Sequence, residues 1–489
     1  MCLGMFMAIL DIQIVASSLP EIQASLRIPM DRLSWIQTAY LIAEIIAIPL
    51  TGWFTRLLSL RGLFLASVTI FTLASVGCAL SPGFFTLLVF RAIQGFFGGA
   101  MIPAVFTGVF ALFPERLHVR ATAIAGAFAM LAPTLGPILG GYITETYSWH
   151  WLFLINLGPG LIAGGIAAWL LRTPPADRSA MGRLDWPSLG LMAISLTCLQ
   201  LGLKEAPERG WYDPTSAALL VVAFGTGLLG VRRCFALARP LIDLRPLKEP
   251  GFGTGCVFSF VLGAGLYGSV YLLPLFLGYV RQHTAFEIGQ IMLVSGVAQL
   301  LTAPVAAILE KRIGPRILAG LGYGLFTAGL LANGFTTFES DFDALFWPQI
   351  LRGVGVMFCI LPTTSVALEG RSGGALADAS GLFNLMRNLG GAVWIAVVDT
   401  ILLTRPEGHA ARLVERLQAG DPEAARFVGL PLDRFQNVPL GPVDEATRQF
   451  VQPLVERAAA VASFNEAWLL TAVCCGLSLL LLPLLKRRD

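Results

Sequence analysis

Charge is what this chain has least of. Of its 489 residues only 13% are Asp, Glu, Lys or Arg, about half of the roughly 25% carried by soluble proteins. That scarcity excludes an ordinary water-soluble enzyme. No G-x-x-x-x-G-K-[ST] stretch occurs, which excludes a phosphate-cradling loop and an ATP-driven pump domain with it. The eight cysteines stand singly or, at Cys474 and Cys475, side by side in an apolar run. Neither metal-ligand spacing nor a disulfide framework is visible. The four histidines (His118, His150, His283 and His409) lie far apart, so no metal and no cofactor is expected. The net charge of +3 points to no nucleic-acid partner, because placement of charge matters more than its sum in such a chain.

What is present is grease and glycine. Hydrophobic residues make up 55% of the chain, there are 52 glycines, and mean hydropathy is +0.72. A membrane span needs about 20 apolar residues, and small residues let spans pack closely in lipid. Apolar runs broken by short polar punctuation give about fourteen spans, beginning near Met1, Ser34, Gly62, Phe84, Ala121, His150, Trp186, Thr215, Gly251, Phe286, Pro315, Leu345, Ala379 and Ala467. The first run lacks a basic flank and is polar at its centre (Asp11, Gln13), unlike a cleaved signal peptide. The fold class expected is an all-α polytopic membrane protein.

Lys and Arg in alternate loops set orientation. One set of loops with the basic tail (Lys486, Arg487, Arg488) carries nineteen of them, and the opposite short loops carry five. Both termini are therefore expected in the cytoplasm. The long polar segment at about 404–465 then faces outside, with helix-like stretches at Ala410–Leu417 and Glu445–Arg457. An internal repeat is visible as well. RAIQGFFGGAMIP (91–103) and PQILRGVGVMFCILP (348–362) share a basic residue, glycines and a proline in matching order. Duplicated helical halves are typical of transporters. The expected division is a six-helix half at 1–171, an added pair of spans at 172–249, and a second six-helix half at 250–489.

Charges inside spans are costly and mark function. Asp11 lies nine residues before Pro20, roughly 13 Å deep, and Glu44 sits at similar depth in the second span. Such carboxyls are candidates for proton coupling. Arg91, Gln94, Gly95 and Gly98 share one helical face, and Arg91 keeps its charge, so it is placed to hold a carboxylate or bind substrate. Arg352 and Arg387 are the intramembrane cations of the second half. They join Gln13, Gln94 and Asn384 as candidates for a substrate cavity. Asp399 is expected near the outer mouth. In the fifth span Pro133 and Pro137 predict a kink, and Gly136, Gly140 and Gly141 predict tight helix contact.

These motifs resemble the major facilitator superfamily, in particular its fourteen-helix drug:proton antiporters of the EmrB/QacA type. LDIQIVASSLP (10–20) is similar to that family's L-D-x-T-[IV]-V-N-x-A-L-P, RAIQG (91–95) to R-x-x-Q-G, GPILGG (136–141) to G-P-x-x-G-G, and WHWLFLIN (149–156) to W-R-W-x-F-x-I-N. The resemblance covers nearly the whole chain. It implies two pseudo-symmetric six-helix bundles with two extra spans, and a cavity between the bundles. It also implies proton-driven export of amphipathic drugs or toxic organic compounds, with Asp11, Glu44 and Arg91 as the coupling residues. The chain departs from the pattern at Gln13 and Ala16, and at Arg56, which stands where the family's loop aspartate stands. A basic residue there is similar to the EmrB-like branch, which implies an inner-membrane pump working with a periplasmic adaptor and an outer-membrane channel. Alternatives are export of an endogenous metabolite, organic acid or lipid, and, outside transport, a membrane sensor or membrane-embedded enzyme. No convergent nucleophiles or cofactor motif support an enzyme.

Overall fold

In the computed structural model, residues 1–16, 18–28, 35–173, 185–237, 240, 243–371, 373–430 and 445–485 are described. The basic tail at 486–488 and part of the long loop, 431–444, lie outside them. The first half runs α1 (Cys2–Ala16), α2 (Leu19–Leu26), α3 (Trp35–Ala79), α4 (Phe84–Leu112), α5 (Glu115–Thr146), α6 (Trp151–Leu154) and α7 (Leu157–Leu170). A hairpin follows, α8 (Trp186–Arg209) and α9 (Pro214–Ala236). The rest is α10 (Pro250–Tyr279), α11 (Ala285–Ile313), α12 (Pro315–Asn333), α13 (Phe342–Leu368), α14 (Gly373–Thr404), α15 (Pro406–Gln418), α16 (Pro422–Val428) and α17 (Glu445–Leu477). Every described element is helical. This is the one open-ended structure, built from a single segment, that satisfies its own backbone in lipid.

Eleven of these helices are long and apolar enough to cross a membrane, twelve with α5 counted as one bent span. The 45 residues of α3 would be about 67 Å long as one rod, twice a bilayer core. The chain breaks at Ser59, whose φ of 63° and ψ of 162° leave the helical region, so α3 holds two spans. Ser59 Oγ accepts from the Gly62 backbone N–H at 3.2 Å and starts the second of them. Counting α3 as two and adding the short apolar α1 to the twelve gives fourteen candidate spans among the described residues. α5 bends by 44° between Pro133 and Ile138, where the sequence places its prolines. The last helix starts at Glu445 rather than near Ala467, so it rises well beyond the apolar stretch.

The core divides into two bundles. Met7, Tyr40, Phe64, Phe71 and Met101 pack between α1, α3 and α4. Phe258, Phe276, Tyr323, Phe326, Phe464 and Trp468 pack between α10, α12 and α17. Glycine sets the closeness inside each bundle. A Cβ at Gly99 would lie 2.7 Å from the Glu44 carbonyl oxygen, and one at Gly355 would lie 2.5 Å from the Phe326 backbone nitrogen.

Two seams join the bundles. α5 meets α11, where a Cβ on Gly289 would come within 2.8 Å of the Ile138 backbone nitrogen. α3 meets α14 near the chain termini, where Gly381 faces the Ile48 carbonyl oxygen and Gly52 faces the Asp378 carboxylate. The α8–α9 hairpin lies along this second seam. Leu196 of α8 joins Ile48, Phe252 and Leu382 in one cluster, and Trp211 Nε1 donates to Thr400 Oγ1 at 3.0 Å. The other side of α9 presents Val221, Phe224, Leu228 and Leu229 outward, as a lipid-facing surface must.

The long loop is a small helical layer. Leu413 and Leu417 of α15, Ala425 and Val428 of α16, and Val455 and Ala459 of α17 form its own apolar core. Nearby, Arg281 binds Asp341 at 2.5 Å and His283 Nε2 sits 3.0 Å from the same carboxylate. Burial pushes the Asp341 carboxyl up, but these bonds and the Phe342 backbone N–H outweigh it and hold it down at about 2.

Arg56 does more than remove an acid. Its Nη1 lies 3.1 and 3.3 Å from the Asp378 carboxylate oxygens, tying the first bundle to the second. The pair is partly solvated, with side chains 37% and 17% exposed, so it contributes at most about 1 kcal/mol. Arg56→Asp is expected to speed backbone hydrogen exchange at 52–60 and 376–382, and the swap with Asp378→Arg to restore protection. A swap no better protected than the single variant would show that the seam does not rest on this pair.

Candidate functional site

The deepest polar group in the first bundle is a closed network around Asp11. Arg91 Nη1 pairs with the Asp11 carboxylate. Gln94 Nε2 and Asn156 Nδ2 donate to its other oxygen at 3.2 and 2.8 Å. Gln94 also donates to Ser75 Oγ at 2.7 Å and accepts from Arg91 at 3.1 Å and from Cys78 at 3.2 Å. Arg91 Nε donates to the Ile36 carbonyl at 3.1 Å, and its guanidinium lies 4.5 Å from the centre of the Tyr40 ring. Asp11, Arg91 and Gln94 are fully buried, and Asn156 nearly so. Four elements, α1, α3, α4 and the α6–α7 junction, are thus held by one compensated charge pair.

A second polar group lines open space. Between the bundles lies a cavity bounded by α1, α3, α4, α5, α10, α11, α13 and α14. Glu44 and Gln13 line it from the first bundle, and Arg387, Asn384, Asn388 and Tyr267 from the second. Among the described residues Glu44 is the only carboxylate on this wall, and no side chain donates a hydrogen bond to it. Arg387, on α14, donates to Asn384, whose own amide donates to the Ser380 carbonyl at 2.8 Å. Tyr267 Oη donates to Asn388 Oδ1 at 2.9 Å. The rest of the wall is apolar, with Ile9, Phe106, Met292 and Ile360 among its residues. Such a space suits a molecule with a large apolar body and few polar groups.

The candidates named from the sequence therefore separate into three places. Glu44, Gln13, Asn384, Arg387 and Pro133 face the cavity. Asp11, Arg91 and Gln94 lie behind it in the closed network, and Arg352 lies inside the second bundle, donating to Gln349 at 2.7 Å. Asp399 accepts from Tyr271 Oη at 2.7 Å, away from the cavity wall. Gly136 lets α5 rest on α1, since a Cβ there would be 2.5 Å from Gln13 Cβ. Gly140 accepts from Ser18 Oγ at 3.3 Å, and Gly141 is buried beside it. The side chain of Pro137 lies outside the described residues. Sequence reasoning passed over Asn156, Ser75, Tyr267 and Asn388. Asn156 ends the WHWLFLIN motif and carried a signal. Tyr267 and Asn388 carried none, being single polar residues on glycine-rich spans.

Groups of His, Cys, Asp or Glu able to hold a metal are absent among the described residues. What the site offers is one titratable acid facing one fixed cation across an apolar space. The Asp11 network supports it from behind, and removing one partner of a buried pair costs about 3–5 kcal/mol. Asp11→Asn is expected to lower the unfolding temperature of the detergent-solubilised protein sharply, and the double change with Arg91→Met to recover most of the loss. A double variant as unstable as the single one would show that packing, not charge pairing, governs this site.

Comparisons with known proteins agree with the geometry. Residues 1–395 match the Major Facilitator Superfamily model. The chain is 41% identical over 407 residues to the colistin resistance protein EmrB of Acinetobacter baumannii, covering 82% of this chain and 79% of that one. It is 28% identical over 490 residues to the multidrug export protein EmrB of Escherichia coli K12, covering 99% and 93%. It is 29% identical over 428 residues to the fatty acid resistance protein FarB of Neisseria gonorrhoeae, covering 85% and 82%. A crystal structure of the human organic anion transporter MFSD10 superposes with a TM-score of 0.59 over 97% of both chains at 15% identity, a likeness of fold alone. Two bundles around a central, mostly apolar cavity, with a family match across four fifths of the sequence, place this chain in the Major Facilitator Superfamily, as a multi-pass membrane transporter and not an enzyme.

Proposed function

We propose that this chain exports amphipathic toxic compounds across the bacterial cytoplasmic membrane in exchange for protons. Both termini are then cytoplasmic, as the basic loops favour. The observation that carries the reading is Glu44, a carboxylate on the cavity wall with no hydrogen-bond donor among the described residues. Ionised, it attracts a substrate bearing a cationic or hydrogen-bond-donating group, while the apolar wall takes the body. A proton reaching Glu44 from outside neutralises it and removes that attraction. Proton and substrate thus exclude one another at one group, which is the requirement for exchange. Asp11, whose charge is already matched by Arg91, supports this wall from behind. Gln13, Asn384 and Asn388 supply orienting hydrogen bonds.

A second reading, export of an endogenous organic acid or lipid, is favoured by Arg387, the only cation on the described cavity wall. The relatives named for multidrug and fatty acid resistance support both readings.

In proteoliposomes with an imposed pH gradient, Glu44→Gln is expected to reduce gradient-driven export at least tenfold, a loss of about 1.4 kcal/mol or more. Undiminished export at equal reconstitution would overturn the assignment. Arg387→Gln is expected to affect carboxylate-bearing substrates more than cationic ones if the second reading holds, and both alike if it does not.

The helical layer of α15, α16 and the rising turns of α17 is, on this orientation, periplasmic. We propose that it receives an adaptor of a three-part efflux system, as the similarity to EmrB suggests. Val414 and Phe450 are exposed on it, at 42% and 70%. Changing both to Asp is expected to leave transport in liposomes intact and to cut adaptor-dependent resistance in cells tenfold or more. Full resistance in the double variant would exclude this surface.

A further inference from the structure

The second bundle buries a cation almost as deeply as the first, with no acid paired to it among the described residues. Arg352 is 5% exposed and Gln349 and Asn333 are fully buried. Among the described residues no carboxylate pairs with Arg352. Its Nη1 donates to Gln349 Oε1 at 2.7 Å and its guanidinium lies 5.3 Å from the Trp468 ring centre. Arg352 Nε, Gln349 Nε2 and both polar atoms of the Asn333 amide have no hydrogen-bond partner. Arg352 and Gln349 stand one turn apart on α13 and are joined by the Nη1–Oε1 bond. The backbone of α12 at Gly329 touches Arg352, since a Cβ there would be 2.8 Å from Arg352 Cγ and 2.9 Å from the Pro348 carbonyl oxygen. Asn333 stands one turn further along the same face of α12, and α12 and α13 run antiparallel, so it lies toward Pro348 and Gln349.

We propose that Arg352, Gln349 and Asn333 bind a small inorganic anion of chloride size and charge. The argument is one of charge rather than of hydrogen-bond number. A guanidinium keeps its proton under all ordinary conditions, and an isolated buried charge is far costlier than a buried neutral group. Water could satisfy the free donors but would leave the charge unmatched. The face of an aromatic ring offsets it only in part. In the first bundle Asp11 does this work for Arg91, and in the second an exchangeable anion does it for Arg352. The close approach of α12, α13 and α17 favours a monatomic ligand. Polar groups lead toward the site from the helix ends, where Asn465 accepts from Thr336 Oγ1 at 2.7 Å and donates to the Thr336 carbonyl at 2.8 Å. None of the three binding residues lines the central cavity, so the inference is independent of the proposed export reaction.

The test uses the purified full chain in detergent, titrated with sodium chloride or bromide against a gluconate background at constant ionic strength. The unfolding temperature is expected to rise saturably with either halide. A bromide-soaked crystal is expected to show an anomalous peak beside Arg352 Nε and Gln349 Nε2. Gln349→Leu, which keeps the cation, is expected to raise the halide midpoint at least tenfold, and Arg352→Met to abolish the response. Equal unfolding temperatures in halide and gluconate would overturn the proposal. So would an unchanged response in Gln349→Leu, which decides the matter should Arg352→Met fail to fold, or density for water alone at the site.

Discussion

The cost of leaving a charge unmatched inside lipid is the constraint on which this structure turns. Asp11 and Arg91 meet it by neutralising each other, with Gln94, Asn156 and Ser75 taking up most of the remaining valences. Because each partner comes from a different helix, the pair also fixes how α1, α4 and the α6–α7 junction stand together. A sealed pair is a poor place to exchange protons quickly, since either partner alone would be stranded. On the proposed reading the exchangeable role falls to Glu44, where the wall opens onto the cavity. Structure and transport then divide between two acids that look alike in the sequence.

Symmetry between the halves holds for shape and fails for charge. Glycine-mediated helix contacts recur in both bundles, at Gly99 and at Gly355, because close backbone approach is what packs helices in lipid. The buried cation recurs, at Arg91 and Arg352, but among the described residues its acid partner does not. The second bundle contributes a cation to the cavity at Arg387 and buries another at Arg352. Repeat-derived folds can share one scaffold while their polar residues specialise, and here the acid-bearing wall faces the cation-bearing one. The α8–α9 hairpin adds to neither wall. It covers the α3–α14 seam and shows lipid an apolar face.

Much of this was legible from sequence for identifiable reasons. Span positions followed from apolar runs, since long hydrophobic segments have few other uses. Asp11, Glu44 and Arg91 stood out because ionisable residues in such runs are rare. Depth alone, however, could not distinguish Asp11, locked behind α1, from Glu44, on the open wall, because the difference lies in which way a helix face turns. Nor could it pair Arg56 with Asp378, 322 residues away, so a departure from the family pattern proves to be a contact between the two bundles. The stretch of α17 from Glu445 reads as helix in the sequence, but its continuity with the last span does not show. Its first turns are charged outside the membrane and apolar only where α15 and α16 cover them, a pattern that hydropathy reads as loop.

The central claim is that one carboxylate, Glu44, trades a proton for substrate while Asp11 stays paired. It is tested most directly by proton release on substrate binding, measured with a pH indicator in weakly buffered detergent solution. The account predicts that wild-type protein releases up to about one proton per bound cationic substrate, and that the release disappears in Glu44→Gln although binding of neutral compounds persists. Undiminished proton release from Glu44→Gln would contradict it and move the exchange to the Asp11 network.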